Sequence, residues 1–283
     1  MRAGARPSMI SWLGAGSASN ASNADRSRTA RDDWYDASWN PTAGCSPFRA
    51  GCEHCWAIRI AAQLACMGGT TGRRYAGLTK MERAGPVWTG ETRVRGDLLT
   101  WPLIRRQPRR IAVDLMSDLF HETLATATID LLHAVIAVAH WHTFVVLTKR
   151  TPRMREYYHN PETPGRIARK IATLSSRFCR PKAQVPARSP SKYAVAFISA
   201  NHQARGAPQG HWIPRLSRAK YEAPGASSTE IGHIGLEPWP LPNLWLGVSV
   251  EDQNCIRRSG DLLETPAAWR WGLLRALARS RQA

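Results

Sequence analysis

Three cysteines dominate the chemistry that this sequence could perform. Cys45, Cys52 and Cys55 lie within eleven residues of the segment NPTAGCSPFRAGCEHCWA, in a chain with six cysteines in all. In a chain without a secretion signal, clustered thiols are more often metal ligands or catalytic groups than disulfides. The following segment, WAIRIAAQLACM, predicts a helix that ends at Gly68 and Gly69. We therefore expect the thiols on a loop before a helix N-terminus, where thiolate anions are favoured.

Three thiols allow three interpretations. A structural zinc needs four ligands, but His54 lies between two of the cysteines and would point away, and Cys66 is roughly 16 Å along the helix from Cys55. A four-iron cluster bound by three cysteines instead leaves one iron open to a small molecule such as S-adenosylmethionine, whose reductive cleavage produces a radical. The thiols could also be unligated. The spacing favours the cluster and leaves zinc and free thiols open.

Polar residues follow three apolar runs, at 111–116, 143–147 and 244–250. Such runs predict parallel strands buried on both faces, and the apolar periodicity of ATATIDLLHAVIAVAHW predicts a helix between the first two. Because parallel strands place their carboxyl ends at one edge, we expect the polar residues there to share a site, although they could be ordinary loop residues. These residues are Ser117, Asp118, His121 and Glu122, then Thr148, Lys149 and Arg150, and finally Ser249, Glu251 and Gln253.

The positive charge is concentrated in one part of the chain. Residues 163–221 contain twelve Lys and Arg and no Asp or Glu, which is two thirds of the formal net charge of +18. Such a segment could neutralise phosphates and bind nucleic acid in a salt-dependent way. It could equally be a solvated loop, since regular structure is hard to find after Cys179 and only KYAVAFISA resembles a strand.

The remaining composition suggests a cytoplasmic protein. Residues 1–33 are small, polar and without periodicity, which predicts a disordered leader. The longest apolar run, 131–147, contains three histidines and changes from helix-like to β-branched, so we interpret it as a helix and a strand and expect no membrane span.

Four ordered motifs resemble an uncharacterised phage and prophage family with a three-cysteine motif. The motifs are WNPTAGCSPFRAGCEHCWA, LMSDLFHE, FVVLTKRTPRM and PLPNLWLGVSVEDQ, and the resemblance covers roughly residues 36–160 and 238–268. That family is regarded as related to radical S-adenosylmethionine enzymes and spore photoproduct lyase. The resemblance implies an α/β fold, a partial (β/α) barrel of radical S-adenosylmethionine type, with Cys45, Cys52 and Cys55 as ligands of a 4Fe-4S cluster.

The resemblance also implies roles for other residues. The candidates to contact S-adenosylmethionine or a substrate phosphate are Trp56, Ser117, Asp118, Lys149, Arg150, Ser249 and Glu251. Carboxylates suit ribose hydroxyls, and Lys or Arg suits a carboxylate or phosphate. Trp56 stands where the family usually has Tyr, and could pack beside the cluster or only against the helix. His121 is interpreted as a surface or capping residue rather than a proton carrier.

Two departures from the family bear on the prediction. The basic insert is longer than expected, and after LLETPAA the family continues into a strand with a Cys-Glu-Pro ending, where this chain has WRWGLLRALARSRQA. We interpret that tail as a basic amphipathic helix, so the barrel would be incomplete and the protein an inactive remnant if the missing strands are essential.

These observations give one predicted organisation and two predicted functions. The expected parts are a leader (1–33), an N-terminal part of the barrel (34–160), a basic low-order insert (161–237) and a further strand with a C-terminal helix (238–283). The leading function is a phage-derived radical S-adenosylmethionine-type iron–sulfur protein that acts on nucleic acid or nucleotides and takes electrons from a donor protein. The alternative is a non-catalytic basic nucleic-acid-binding protein with a structural zinc site.

Overall fold

The computed structural model describes residues 10–14, 34–48, 52–53, 55–105, 107–178, 215–219 and 233–274. The strands are β1 (Ile10–Gly14), β2 (Ala37–Trp39), β3 (Thr42–Ala43), β4 (Thr79–Glu82), β5 (Gly85–Trp88), β6 (Arg93–Val94), β7 (Arg110–Val113), β8 (Thr143–Thr148), β9 (Arg215–Ala219), β10 (His233–Glu237), β11 (Leu244–Val250) and β12 (Trp269–Leu274). The helices are α1 (Trp56–Cys66), α2 (Gly69–Tyr75), α3 (Trp101–Ile104), α4 (Thr126–Val138), α5 (Thr151–His159), α6 (Thr163–Phe178) and α7 (Arg257–Glu264).

A parallel sheet forms the centre of this mixed α/β fold. Its strand order is β2-β7-β8-β11-β12, so each strand lies beside the one that precedes it among these five, and β1 pairs with the outer edge of β12. The five strands all run the same way, and their carboxyl ends therefore lie at one edge of the sheet. This geometry brings the residues that follow β7, β8 and β11 into one neighbourhood.

The predicted β–α–β unit is present. β7, α4 and β8 occur where the apolar runs and the helical period placed them, and β7 and β8 are parallel neighbours. Ile129, Leu132 and Ile136 of α4 are fully buried in the main core. Strands buried on both faces need apolar residues at consecutive positions, which is why β8 and β11 are recognisable as runs.

The first strand of that unit is shorter than predicted. β7 ends at Val113, although the apolar run extends to Met116. Asp114 has φ 55, a left-handed conformation that stops an extended strand, and its Oδ1 accepts a hydrogen bond from the backbone N–H of Thr42 at 3.0 Å. The Asp114 side chain therefore bonds the backbone of Thr42, which lies outside the central sheet, and β7 ends at the residue before Asp114.

A second, smaller core lies beside the sheet. α1, α2 and the β4–β5 hairpin pack together around buried residues such as Ala61, Tyr75 and Leu78. α1 ends at Cys66, two residues before Gly68, close to where the sequence predicts its end, and both Gly68 and Gly69 have positive φ. Cys45 and Cys55 pack at the border of this second core.

Segments near both ends of the chain and in the predicted low-order insert differ from their predicted states, and the insert also contains the antiparallel pair β9 and β10. Ile10–Gly14 forms β1 rather than part of a disordered leader, because β12 offers an unpaired backbone edge. Thr163–Phe178, assigned to a low-order insert, is α6, whose Ile167 and Ile171 are fully buried in the main core. Trp269–Leu274, interpreted as helix, is β12.

The last of these corrections has a steric explanation. Trp271 of β12 lies directly opposite Gly247 of β11, where any Cβ would come within 2.2 Å of the indole. The indole N–H donates to the carbonyl of Val146 at 3.2 Å. The lack of a side chain at Gly247 thus lets the indole cross β11, which favours a strand over a helix at this place.

Several predictions lie outside the described residues. The strand proposed for KYAVAFISA and the chain beyond Leu274 belong to this group, as does most of 1–33. No helix among the described residues combines the length and the apolarity that crossing a membrane requires.

Candidate functional site at the carboxyl ends of the parallel strands

Asp118, in the loop after β7, is the centre of a buried hydrogen-bond network. Its Oδ1 accepts from the Thr148 hydroxyl at 2.6 Å and from the Phe120 backbone N–H at 3.0 Å. Its Oδ2 accepts from the Lys149 backbone N–H and from Arg150 Nη1, both at 3.1 Å. Both carboxylate oxygens are thus occupied by groups that follow β7 and β8, so Asp118 joins the ends of these two strands.

Arg150 connects Asp118 to the cysteine loop. Its Nε donates to Glu122 at 2.8 Å, and its Nη2 donates to the hydroxyl of Ser46 at 2.9 Å and to the Ser46 carbonyl at 3.2 Å. Burial disfavours the guanidinium charge, but Asp118, Cys45 and Glu122 outweigh burial and raise the pKa of Arg150. Arg150 is therefore a permanent buried cation just after β8, and it bonds Ser46, the residue that follows Cys45.

The hydroxyl of Ser46 also contacts His121, which is buried rather than at the surface. His121 Nε2 lies 2.9 Å from Ser46 Oγ, and its Nδ1 accepts from the Thr123 backbone N–H at 3.2 Å. Burial and the neighbouring Arg150 lower the pKa of His121. A neutral ring with its proton on Nε2 satisfies both contacts, so His121 acts here as a fixed donor to the cysteine loop.

A second ionic group joins β8 to β11. Lys149 Nζ lies 2.6 Å from Glu251 Oε1, and Arg258 Nη1 of α7 lies 2.7 Å from Glu251 Oε2. The Ser249 hydroxyl donates to Glu251 Oε1 at 2.6 Å. Burial raises the pKa of Glu251, but Lys149, Ser249 and Arg258 more than offset this and lower it overall. Glu251 is consequently an ionised carboxylate between two cations.

The cysteine loop is held at its start by backbone contacts. Gly44 donates its N–H to the Met116 carbonyl at 3.1 Å, and its own carbonyl accepts from the Ser117 hydroxyl at 2.7 Å. Gly44 has φ 95, and a Cβ there would lie 2.1 Å from the Glu91 carbonyl oxygen, so only glycine fits. Ser117 thus positions the residue before Cys45 and stands apart from the ionic network.

The cysteines predicted to be metal ligands, Cys45, Cys52 and Cys55, are partly exposed and have free thiols. Cys52 Sγ lies 3.7 Å from Lys149 Nζ, and the Cys45 thiol contacts the Ser46 carbonyl at 3.6 Å. Burial raises the pKa of Cys45 to about 12, against the opposing effect of Arg150. Cys55 donates its N–H to the Cys52 carbonyl at 3.1 Å and directly precedes α1. Cys52 therefore brings the cysteine loop into contact with Lys149, in addition to the contact between Ser46 and Arg150.

The thiols have the right chemistry for a metal but are not arranged around one. Among the described residues, no group of three or more His, Cys, Asp or Glu side chains is placed to hold a metal ion. Three free thiols suit an iron–sulfur cluster in kind and number. A metal would have to draw Cys45, Cys52 and Cys55 closer together, as is common when metal binding and local folding are coupled.

Two other predicted residues lie away from the network. Trp56 begins α1 and is 48% exposed, and Cys66 is exposed at the other end of that helix. Of the seven candidates for cofactor contact, the structure connects Asp118, Lys149, Arg150, Ser249 and Glu251, and it separates Trp56 and Ser117 from them.

Sequence reasoning missed two buried residues in this neighbourhood. Asp114 lies at the end of β7 with its Oδ2 unpaired among the described residues, and burial raises its pKa to about 7. Arg258, seven residues after Glu251, has an Nη2 without a hydrogen-bond partner in the part of the chain that the structure describes. The left-handed conformation of Asp114 has only a weak sequence signal, since Asp is one of the few residues besides Gly that adopt it. Arg258 reaches Glu251 because α7 packs against β11, which no local pattern in the sequence indicates.

Comparison with known proteins places the chain in a family. A family model described as a protein of unknown function, DUF5131, matches residues 29–277. The chain belongs to this family. Since the match spans both cores, the DUF5131 assignment includes the cysteine loop and all three strand ends. No curated protein and no solved structure matches the chain.

Proposed function

We propose that this DUF5131 protein is an iron–sulfur protein of the radical S-adenosylmethionine type, with Cys45, Cys52 and Cys55 as the ligands of a 4Fe-4S cluster. A cluster held by three cysteines leaves one iron open to S-adenosylmethionine and supplies the electron that cleaves its sulfonium. The strand-end network consists of the two ionic groups around Asp118 and Glu251. The observation that carries the proposal is the contact between the cysteine loop and this network, where Lys149 contacts Cys52 and Arg150 bonds Ser46.

The fold is consistent with this proposal at the level of architecture. In a (β/α) barrel, successive parallel strands lie side by side and the site is at their carboxyl ends. β2, β7, β8, β11 and β12 follow that order, and a partial barrel of this kind remains part of the proposal. A phage origin and a relationship to spore photoproduct lyase rest on the motif resemblance alone.

The chain's own residues would have defined tasks in such a site. Glu251 and Asp118 are buried acceptors suited to ribose hydroxyls, although Asp118 is already saturated by four donors. Lys149 is the more available cation, since its side chain is 22% exposed and Arg150 is buried. We therefore assign Lys149 and Glu251 to ligand contact, and Asp118 and Arg150 to positioning the strand ends and the loop.

Metal analysis after anaerobic reconstitution with iron and sulfide tests the proposal. We expect about four iron atoms per chain in the wild type, and a loss of most of that iron in Cys45→Ala, Cys52→Ala and Cys55→Ala. Cys66→Ala is the matched control, because Cys66 is an exposed thiol outside the loop. Formation of 5′-deoxyadenosine from S-adenosylmethionine in the presence of a chemical reductant, in place of the donor protein, then tests the reaction.

Equal iron content in Cys52→Ala and the wild type would contradict the cluster. Zinc bound to protein purified without air, with no iron uptake, would support the alternative of a structural zinc site in a non-catalytic protein. This alternative would also require a fourth ligand that the described residues do not bring to the thiols.

Nucleic acid is the proposed partner because of the formal net charge of +18. Within 163–221, Arg166 is already paired with Asp130, whereas Arg169 is exposed on α6. Binding of a DNA oligonucleotide should weaken steeply as salt rises and persist in the three cysteine variants. Salt-independent binding, or none, would remove nucleic acid from the proposal.

A further inference from the structure

Arg258 is a buried cation whose hydrogen bonds are incomplete. Its side chain is 3% exposed, yet Nη2 has no hydrogen-bond partner among the described residues. Nη1 donates to the Ser249 carbonyl at 2.6 Å and to Glu251 Oε2 at 2.7 Å. Buried polar groups in proteins are nearly always bonded, and an unpaired guanidinium nitrogen in a candidate site points to a missing acceptor.

The surroundings of Arg258 carry excess positive charge. Glu251 is shared by Lys149 on one oxygen and Arg258 on the other, so these three side chains have a net charge of +1. Asp118 of the same network is bonded to Arg150 instead, and Asp252 Oδ1 accepts from the Cys255 backbone N–H. One further negative group would balance the charge of this trio, and the unpaired Nη2 could donate to it.

An aromatic ring from the cysteine loop covers both guanidinium groups. The Phe48 ring centroid lies 5.7 Å from Arg258 Cζ and 5.3 Å from Arg150 Cζ. Phe48 lies between Cys45 and Cys52 in the sequence, and Cys52 contacts Lys149 at 3.7 Å. A rearrangement of the loop that gathers the thiols would therefore also move the ring that shields Arg258.

We infer that Arg258, together with Lys149, forms a binding site for the oxyanion of a ligand that occupies the strand-end site beside Cys52. An Arg with one nitrogen bonded to a carboxylate and the other unpaired can bridge that carboxylate and an incoming oxyanion. The oxyanion is either the carboxylate of the cofactor or a phosphate of the substrate. The inference deepens the proposed function and concerns the same site, but oxyanion binding does not itself need iron.

Calorimetric titration of the full-length chain, before and after iron–sulfide reconstitution, tests the site. The probes are inorganic phosphate, S-adenosylmethionine and a single-stranded DNA hexanucleotide, at constant low ionic strength. We expect Arg258→Met to weaken binding of at least one probe about tenfold to a hundredfold, because a charge-assisted hydrogen bond is lost. Arg257→Met is the matched control, since it removes the same charge from an exposed neighbour on α7.

Arg258→Lys keeps the inference testable if Arg258→Met does not fold. Lysine retains a cation for Glu251 but cannot bond both Glu251 and a ligand with a planar fork. We expect this variant to unfold at nearly the wild-type denaturant concentration and still to bind the oxyanion about tenfold more weakly.

The probe that is affected identifies the source of the oxyanion. Weaker binding of S-adenosylmethionine alone indicates the carboxylate of the cofactor, and weaker binding of the hexanucleotide alone indicates a substrate phosphate. No binding of any probe by the wild type, or equal effects of the Arg257 and Arg258 substitutions, would overturn the inference. Iron and sulfide content, measured on the same samples, reports separately on the cluster.

Discussion

Two buried polar networks in this protein use the same residue types but differ in how completely they are bonded. Between α4, α5 and α6, Asp130 accepts from the Tyr157 hydroxyl at 2.8 Å and from Arg166 Nε at 2.9 Å. His133 contacts the Ile129 carbonyl and the Tyr158 hydroxyl, both at 2.8 Å. Both Asp130 oxygens and both His133 nitrogens thus have protein partners, as expected of a network that joins helices.

The network at the strand ends is instead incomplete. Arg258 Nη2 is buried there without a hydrogen-bond partner among the described residues. It also contains Lys149, which is partly exposed and contacts a free thiol. An Asp–Arg pair alone therefore does not indicate a functional site. The strand ends differ from the helical layer, by which we mean the network of Asp130 and His133 between α4, α5 and α6. At the strand ends, a buried polar group without a hydrogen-bond partner lies beside reactive side chains.

The largest effects are expected from removing Asp118, which pairs with Arg150, or Asp130, which pairs with Arg166. Iron uptake should distinguish the two pairs. Asp118→Ala leaves the buried Arg150 with only the exposed Glu122, and Asp130→Ala leaves the partly buried Arg166 with only the exposed Glu162. Asp118→Ala should lower the free energy of unfolding by about 3–5 kcal/mol, and Asp130→Ala by somewhat less. Urea unfolding measures this loss. The milder Asp118→Asn should reduce the iron and sulfide taken up on reconstitution, whereas Asp130→Asn should not. Equal iron uptake by the two Asn variants would remove the functional distinction between the networks.

The next effect concerns the pH dependence at the strand ends. Burial raises the pKa of Asp114 from 3.8 to about 7, so the folded state binds more protons than the unfolded state between these values. This contribution to stability is present below pH 3.8 and is lost as pH rises towards 7, by at most about 4 kcal/mol.

Asp114→Asn removes this titration and keeps the amide oxygen for Thr42. The variant should therefore lose less stability than the wild type between pH 4 and pH 8, as measured by urea unfolding across that range. Asn also tolerates the left-handed conformation at this position. Parallel pH profiles for the variant and the wild type would show that Asp114 ionises normally.

The helical layer should respond to pH in the opposite direction. Burial lowers the pKa of His133 from 6.5 to about 4, so the unfolded state binds more protons in this range. Stability present above pH 6.5 is lost as pH falls towards 4, by about 3 kcal/mol. His133→Gln should flatten this acid limb, and NMR titration of the imidazole provides an independent check. An imidazole that titrates near 6.5 in the folded protein would contradict the assignment.

The smallest effect is expected at the exposed end of the strand-end network. Glu122 bonds the same Arg150 as Asp118, but its side chain is 57% exposed. Exposed ion pairs contribute little, so Glu122→Gln should change the free energy of unfolding by less than about 1 kcal/mol. A loss as large as that of Asp118→Ala would mean that the two carboxylates form one coupled unit around Arg150.

Much of the central sheet could be predicted because its signals are local. α4 is an apolar segment of helix length that is buried on nearly all sides, and β8 and β11 are continuous apolar runs of strand length. α6 was missed, although Ile167 and Ile171 have the i,i+4 spacing of a helix face, because the surrounding Arg, Ser and Pro content suggested an irregular insert. β12 was mistaken for a helix, since nothing local to Trp271 reveals that Gly247 leaves space for its indole.

The sequence by itself determined the chemical inventory of this protein: three thiols before a helix, and charged residues directly after three strands. It could do so because residue types, spacing and apolar period are properties of short segments. Only the tertiary structure decided which charges neutralise one another, which lie beside Cys52, and which nitrogen of Arg258 is unpaired. Most of those pairings join residues far apart in the chain, and their geometry depends on strand register and on how α7 packs against β11.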